Sequence, residues 1–561
     1  MGYSVKMNSP LSIEVKNLNH LGIIAGIIDE IGLVDQINKI LGQHPQEKVS
    51  AGQAVKAMIL NGLGFVSGTL YMFPKYMDSY ACEHLIGEGV LPEHLNDDRL
   101  GRVLDQLYLK GLSGIFTLIA LAAVKKYGVD LPSLHLDSSS LHLHGEYKTG
   151  LPEVVFEKNA PTENEDKLLE LAPQPISITY GYSRDHRPDL KQFIIELICS
   201  SDGDIPIFLK AASGNQSDKK TFAKTLVNFR ENIDVDALMV ADSALYSAEN
   251  LNLMKNLKWL CRVPLTVGLA KQILLEIDDK DLIKSEITGY SYIVKSSNYA
   301  GVEQRWLIVE SQERKKADSK QMMRRVQQAQ TNTYQKLTKL CNEEFACHRD
   351  AKKAALHLSE QLKYHRLTGI KISKKQLKPE SKSKNNSQTD WKYCYQISAQ
   401  LEQDKEAIEK ENRASGKFIL ATNVTHESQL SHSDMIKEYK AQQSCERGFA
   451  FLKDPLFLTD SIFLKSPERI EALSMIMGLC LLVYTLGQRQ LLESLLIQNQ
   501  KIKNQLGKLT PRPTLRWIFQ CFQGIHLLIF NGVSQISNLS DERLWILQFF
   551  PNACRRYYLL V

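Results

Sequence analysis

Three acidic residues of this chain stand where a carboxylate can be offered to a cleft. Asp137 lies in SLHLDSSSLHL, whose β-like alternation projects its side chain from a sheet. Asp242 closes DALMVAD, where an apolar run ends and a turn begins, and Glu446 sits in the late helical run HSDMIKEYKAQQSCERGFAFLKDP. The three are 105 and 204 residues apart, a separation that a sheet gathering distant segments can close. Taken singly, each is as well explained by capping or by solvation. In the late run, Tyr439, Gln442, Glu446 and Lys453 occupy relative positions 0, +3, +7 and +14. At about 100° per residue they form one narrow helical stripe. A carboxylate flanked by a phenol and an ammonium suits a metal ion held against a phosphodiester; the polar face of an amphipathic helix explains the same spacing.

Other clusters are open to two explanations. His135, His142 and His144 are zinc-type ligands, yet strand alternation and surface exposure account for them more simply. Arg184, His186 and Arg187 in GYSRDHRPD make a basic turn that either contacts DNA or is a structural turn closed by Pro188. Cys341, Cys347 and His348 lack a second ligand pair at zinc spacing and read as helix-packing thiols. The ten cysteines contain no CxxC, which indicates a reducing compartment rather than a disulfide framework.

The elements that must position these groups follow from length and pattern. A chain of 561 residues with 43 % hydrophobic and 24 % charged residues can bury several cores, which excludes a single small module and wholesale disorder. A net charge of +6 is too mild to demand a polyanion partner. Residues 1–130 read as an all-helical domain from about Asn17, with Ser50 as an N-cap and a helix that either reads a DNA groove or only packs. From 131 to 264 come the short runs SLHLDSSSLHL, ISITYGYS, QFIIELICS, IPIFLKAA, DALMVAD and KWLCRVP, a mixed α/β sheet.

Residues 265–416 interrupt the sheet as an α+β insertion: a hairpin (SYIVKSS, QRWLIVES), a long polar helical stretch from Gln312 to Tyr364, and the lysine-rich loop KISKKQLKPESKSKNNSQ. That loop is either a solvated segment or a phosphate contact. The α/β core resumes over 417–490 from GKFILATN, and 491–561 is a helical C-terminal region. The apolar run Leu473 to Leu486 is shorter than the roughly 17 residues of a membrane span and is expected as a buried core helix. With no apolar signal-like stretch near Met1, the expectation is a soluble cytoplasmic protein without a membrane partner.

HLDSSSLHLHG, GYSRDHRPDLKQF, VADSALYS and above all YKAQQSCERGFAFLKDP resemble the DDE transposases of bacterial insertion sequences, in the branch whose last motif is Y-x2-R-x3-E-x6-K. Tyr439, Glu446 and Lys453 keep that spacing, and Gln442 stands where the motif has Arg. NHLGIIAGIIDEIGLVDQI and DDRLGRVLDQL are similar to the helical leader of one subgroup, so the likeness covers most of the chain. The resemblance implies an RNase H-like catalytic sheet with Asp137, Asp242 and Glu446 as catalytic metal ligands. It implies two Mg²⁺ (or Mn²⁺) ions, with Tyr439, Gln442, Lys453, Arg184 and Arg187 on DNA.

The chemistry agrees, since an anionic phosphodiester repels nucleophiles and two ions about 3.5–4 Å apart activate the attacker and stabilise the leaving oxygen. The partners implied are double-stranded DNA, both terminal inverted repeats and target, and a second copy of the chain in a synaptic dimer at the bacterial nucleoid. The function implied is cut-and-paste DNA transposition by phosphodiester hydrolysis and strand transfer. An inactive or domesticated DNA-binding relative, and an RNase H-like nuclease without strand transfer, are the alternatives.

Overall fold

The computed structural model describes residues 13–65, 69–144, 147, 174–183, 185–376, 393–454, 464–530 and 532–560. Two compact units emerge, Met1–Leu260 together with Lys437–Val561, and Cys261–Ile436. In chain order the strands begin with β1 (Ile13–Asn17), β2 (Ser133–Leu143), β3 (Lys191–Ser200), β4 (Pro206–Ser213), β5 (Leu238–Ala241) and β6 (Trp259–Arg262). They continue with β7 (Ile283–Lys284), β8 (Tyr290–Tyr299), β9 (Val302–Ser311), β10 (His365–Gln376), β11 (Tyr393–Gln403) and β12 (Lys417–Thr422). The last are β13 (Ile502–Lys503), β14 (Leu509–Thr510), β15 (His526–Phe530) and β16 (Val533–Ser537).

The first unit is built on a mixed sheet in the order β4-β3-β2-β5-β6, with β2 antiparallel to β3 and parallel to β5. Alternation along β2 and β3 gives the sheet two differently covered faces. On one, the buried Glu196 carboxylate accepts hydrogen bonds from Gln216 Nε2 and Thr225 Oγ1, each 2.7 Å, beneath the helix Asp218–Asn232. On the other lie Asp137 and its cross-strand partner Leu197, covered by the helix Gln443–Leu452 and by the long helix Pro467–Ile497. Pro467 stands in the first turn of that long helix, where its missing N–H is no loss, and Ser466 caps it. Its 31 residues are long and apolar enough to cross a bilayer, but most of its apolar stretch is buried inside the unit, as expected for Leu473 to Leu486.

The N-terminal helices behave as their periodicity predicts. Ser50 accepts from the Gln53 N–H while the Gln53 side chain accepts from the Ser50 N–H, a complete capping box on Ala51–Gly62. The terminal regions, however, are not purely helical. β1 pairs antiparallel with β15, which pairs with β16, so the two ends of the chain share a three-stranded sheet. The run LRWIFQCFQGIHLLIF, expected as one helix, stops at Cys521, turns at Gly524 (φ +76°) and becomes a strand because β1 supplies its hydrogen-bonding edge. Helix Leu21–Glu30 packs on helix Asn552–Leu559 so closely that a Cβ at Gly26 would lie 2.3 Å from the Cys554 Cα.

ISITYGYS also departs from expectation. β2 and β4 already occupy both edges of β3, and only Thr179 makes an isolated bridge, to Gln192.

In the second unit β12, β9, β8 and β7 lie in that order, and β8 and β9 form the expected hairpin. GKFILATN is a strand, and it groups with this unit because β12 pairs with β9 over its whole length. The unit therefore runs from Cys261 to Ile436, beyond the expected limits of 265 and 416 on both sides. The polar stretch resolves into the helices Gln312–Asn342, whose Met322 and Val326 pack on Tyr364, and His348–Glu360, whose Ala351 and Ala355 pack on Ile397 of β11. The first part of the lysine-rich segment is no loop: Lys371 to Gln376 belong to β10 and pair with β11. The rest of that segment lies outside the described residues. Cys347 caps the second helix by accepting from the Asp350 N–H, and Cys341 is partly buried, as thiols in helix packing should be.

Candidate active site

Parallel pairing of β2 with β5 matches Leu134 with Met239, His135 with Val240 and Leu136 with Ala241. Asp137 follows Leu136 within β2, and Asp242 is the first residue after β5 ends at Ala241, so the register brings both backbones to the same end of the β2–β5 pairing. Each carboxylate is steadied locally. Asp137 Oδ1 accepts from the Ser138 N–H at 2.8 Å, and Asp242 Oδ1 accepts from the Ala244 N–H at 2.8 Å, capping a short 3₁₀ turn. Both residues are half-buried.

Glu446 arrives from the helix lying across β2 and β3. Its neighbour Cys445 is buried, and the thiol donates to the His135 carbonyl at 2.9 Å. Gly448 sits against Leu197, where a Cβ would lie 2.9 Å from Leu197 Cδ2. Arg447 is held by two 2.6 Å hydrogen bonds to Asp204. These contacts fix the helix over the Asp137 face of the sheet, with Glu446 itself exposed. Among the described residues no three His, Cys, Asp or Glu side chains stand close enough together to hold a metal ion. Asp137, Asp242 and Glu446 offer oxygen donors of the kind Mg²⁺ prefers, but the structure does not gather the three into one metal-holding group.

The stripe is altered in one respect. The run read as a single helix is two, His432–Ala441 and Gln443–Leu452, joined at Gln442. There the bonds shorten to i→i+3, Gln442 N–H to the Tyr439 carbonyl and Cys445 N–H to the Gln442 carbonyl. Such tightening advances residues by about 120° instead of 100°, so Tyr439 and Glu446 do not keep the ideal helical phase. Lys453 ends the second helix with its ammonium 2.7 Å from Asp185.

Arg187 donates to both oxygens of Asp189, and its N–H to Ser183 Oγ, as a structural turn requires. That pairing holds the Asp189 carboxyl down at about 2. Arg184 lies outside the described residues. His142 is within 2.9 Å of Ser183 and 3.5 Å of Asp185; burial lowers its pKa against the pull of Asp185.

His135 corrects the expectation of surface exposure, because it is fully buried. It shares the Asp137 face with Ser133, and both meet Glu438: the Ser133 hydroxyl donates to Glu438, and His135 Nε2 lies 3.7 Å from the same carboxylate. Glu438 escaped the sequence reading. Its one signal is its place beside Tyr439, and its contacts tie the late helical run to β2 two and four residues before Asp137.

Residues 13–121 match a family model described as a domain of unknown function, DUF4277. No curated protein matches the chain. Among solved structures, a piggyBac transposase synaptic complex with hairpin DNA is similar over 90% of this chain and 80% of that chain. Identity is 10% and the TM-score 0.35, a likeness too distant to assign a role to any residue. Residues 136–485 match the model described as Transposase DDE domain. That match covers more than half of the chain, opens one residue before Asp137 and encloses Asp242 and Glu446, and the chain therefore belongs to the DDE transposase family.

Proposed function

We propose that the protein is the transposase of a bacterial insertion sequence, cutting transposon-end DNA by hydrolysis and joining the freed 3′-hydroxyl to target DNA. The observation that carries this reading is the placement of Asp137 and Asp242 at the same end of the β2–β5 pairing, with Glu446 delivered over the same face by a helix anchored through Cys445. In this reading the sheet is RNase H-like and the three carboxylates hold two Mg²⁺ or Mn²⁺ ions. Bound ions would supply an activated water and charge neutralisation at the leaving oxygen.

The chain's own groups do the rest. Asp137 and Asp242 present oxygens from backbone fixed by the sheet, and their hydrogen bonds from Ser138 and Ala244 hold the carboxylates in orientation. Tyr439, Gln442 and Lys453 lie along the late helical run and bond phosphate oxygens, a role for which an ammonium and a neutral phenol are suited and metal ligation is not. The same reading assigns Arg184 and Arg187, from the basic sequence GYSRDHRPD, to DNA. The DNA partners are terminal inverted repeats and target duplex, engaged by a synaptic homodimer at the nucleoid.

A second reading is a DNA-binding relative without catalysis. One assay separates the two. Purified protein is incubated with DNA carrying the inverted repeats that flank its coding region, with Mg²⁺, and nicking is followed on denaturing gels. Cutting at the repeat ends that disappears in Asp242→Asn supports the transposase; end binding without any cutting in the parent supports the relative.

A further inference from the structure

Charge is distributed unevenly between the two units. Residues 261–436 hold thirty lysines and arginines against twenty-two acids, an excess of eight, whereas the remainder holds thirty-nine against forty-one. Within the second unit the excess concentrates in 312–376, with sixteen basic residues against six acidic ones. The helix Gln312–Asn342 carries the densest part. From Ser319 to Asn342 it has no acidic residue at all, while Lys320, Arg324, Arg325, Lys336 and Lys339 fall in that stretch.

Helical phase sorts these residues. Met322, Val326, Thr333 and Leu337 are buried and define the inward face, at about 100° per residue. The opposite face carries Lys320, Arg324, Gln328, Thr331, Gln335 and Lys339, all exposed. Arg325, by contrast, leans to the flank and is 3.7 Å from Glu411. Lys320, Arg324 and Lys339 make no ion pair and no side-chain hydrogen bond among the described residues, though other cations nearby, such as Lys315 with Asp279 and Glu310, are satisfied internally. A row of unpaired cations interleaved with amide and hydroxyl donors, with every acid excluded, is costly by self-repulsion unless a polyanion meets it. At 1.5 Å per residue the 31-residue helix is about 46 Å long, comparable to roughly 13 base pairs of duplex.

We infer that the outer face of helix Gln312–Asn342 is a sequence-independent duplex-DNA grip, with Lys320, Arg324 and Lys339 on backbone phosphates. The ligand class rests on the DNA-acting function proposed above; the surface itself rests on charge and helical phase. It differs from the lysine-rich run after Lys371, because these cations lie on a regular helix.

The test uses the full-length protein and fluorescence anisotropy of a labelled duplex of about 30 base pairs and arbitrary sequence, without divalent metal, across about 50–200 mM salt. The variant K320Q/R324Q/K339Q should bind at least about tenfold more weakly, and its slope of log affinity against log salt should be shallower by roughly 2 to 3, near 0.9 for each lost phosphate contact. K110Q/K125Q/K501Q, exposed lysines of the other unit, should bind like the parent. K320R/R324K/K339R should restore the slope, which separates lost charge from lost fold. A parent-like slope in K320Q/R324Q/K339Q overturns the inference. So does an equal loss in the K110Q/K125Q/K501Q control, and so does duplex RNA displacing the DNA at tenfold lower concentration. Nicking by the Asp242→Asn variant would sink the catalytic reading while leaving the slope result intact, so the two failures are distinguishable.

Discussion

Asp137, within β2, and Asp242, the first residue past β5, each follow the last matched pair of these two parallel strands, Leu136 with Ala241. Replacing either by asparagine keeps the shape and the backbone hydrogen bond while removing a charge that a divalent ion needs. Cleavage of end DNA should fall by roughly a thousandfold or more, with end binding and the unfolding temperature near those of the parent. Single-turnover nicking with Mg²⁺, read beside a gel shift, checks this; cleavage within tenfold of the parent in either variant would remove that aspartate from the catalytic set.

Lys453 is engaged with Asp185 at 2.7 Å, and under the proposed function DNA would compete with that pair. A partly exposed ion pair contributes about 0–1 kcal/mol. Lys453→Ala should therefore leave stability almost unchanged and weaken end binding, with a smaller salt dependence. Asp185→Asn should do the opposite and tighten binding by up to roughly fivefold, the equivalent of releasing the pair. Parent-like binding in both variants across a salt series would exclude Lys453 from the DNA interface.

The buried Lys56 ammonium lies 2.6 Å from Asp29 and donates to the Tyr557 hydroxyl at 2.9 Å, which donates on to Asp29 at 2.5 Å. The triad ties the helix Ala51–Gly62 to the helix Asn552–Leu559. Tyr557→Phe should cost about 1–3 kcal/mol, and Asp29→Ala, which strands the buried ammonium, about 3 kcal/mol. Urea unfolding would show both as lower midpoints. Removal of 552–561 should expose the N-terminal helices to protease, because Gly22 and Gly26 would lose the surface they pack against.

Glu471 is mostly buried and accepts from the Ile176 N–H at 2.7 Å, yet burial raises its pKa from 4.5 to about 7. The folded state thus holds a proton that the unfolded chain releases. The stabilisation is complete below about pH 4.5 and is lost as pH rises through about 7. Glu471→Gln keeps the acceptor and removes the ionisation, so its melting temperature should exceed that of the parent at pH 8 by more than at pH 5. A difference that is constant from pH 5 to 8 would contradict the assignment.

Much of the fold was legible because its signals are local. Alternation in SLHLDSSSLHL marks β2, the short apolar run QFIIELICS marks β3, and Ser50 with Gln53 marks a helix start, since all depend on neighbours within a few residues. ISITYGYS and HLLIF failed for the converse reason. Whether an apolar run becomes a strand depends on a free edge: β3 had none left for the first, and β1, some five hundred residues away, offered one to the second.

For the site, residue types and motif spacing nominated Asp137, Asp242, Glu446 and the run around Tyr439 and Lys453 as candidates, all of which the family match encloses. Tertiary structure alone decided where each of them lies. The β2–β5 register sets the two aspartates at the same end of the pairing, because one residue of slip would turn a side chain to the opposite face. The Cys445 and Gly448 contacts set where the glutamate's helix lies, and the i→i+3 bonds at Gln442 set its phase. Glu438 at Ser133 and His135, and Asp185 at Lys453, were invisible beforehand because pairs more than 250 residues apart exist only once the sheet has closed the distance.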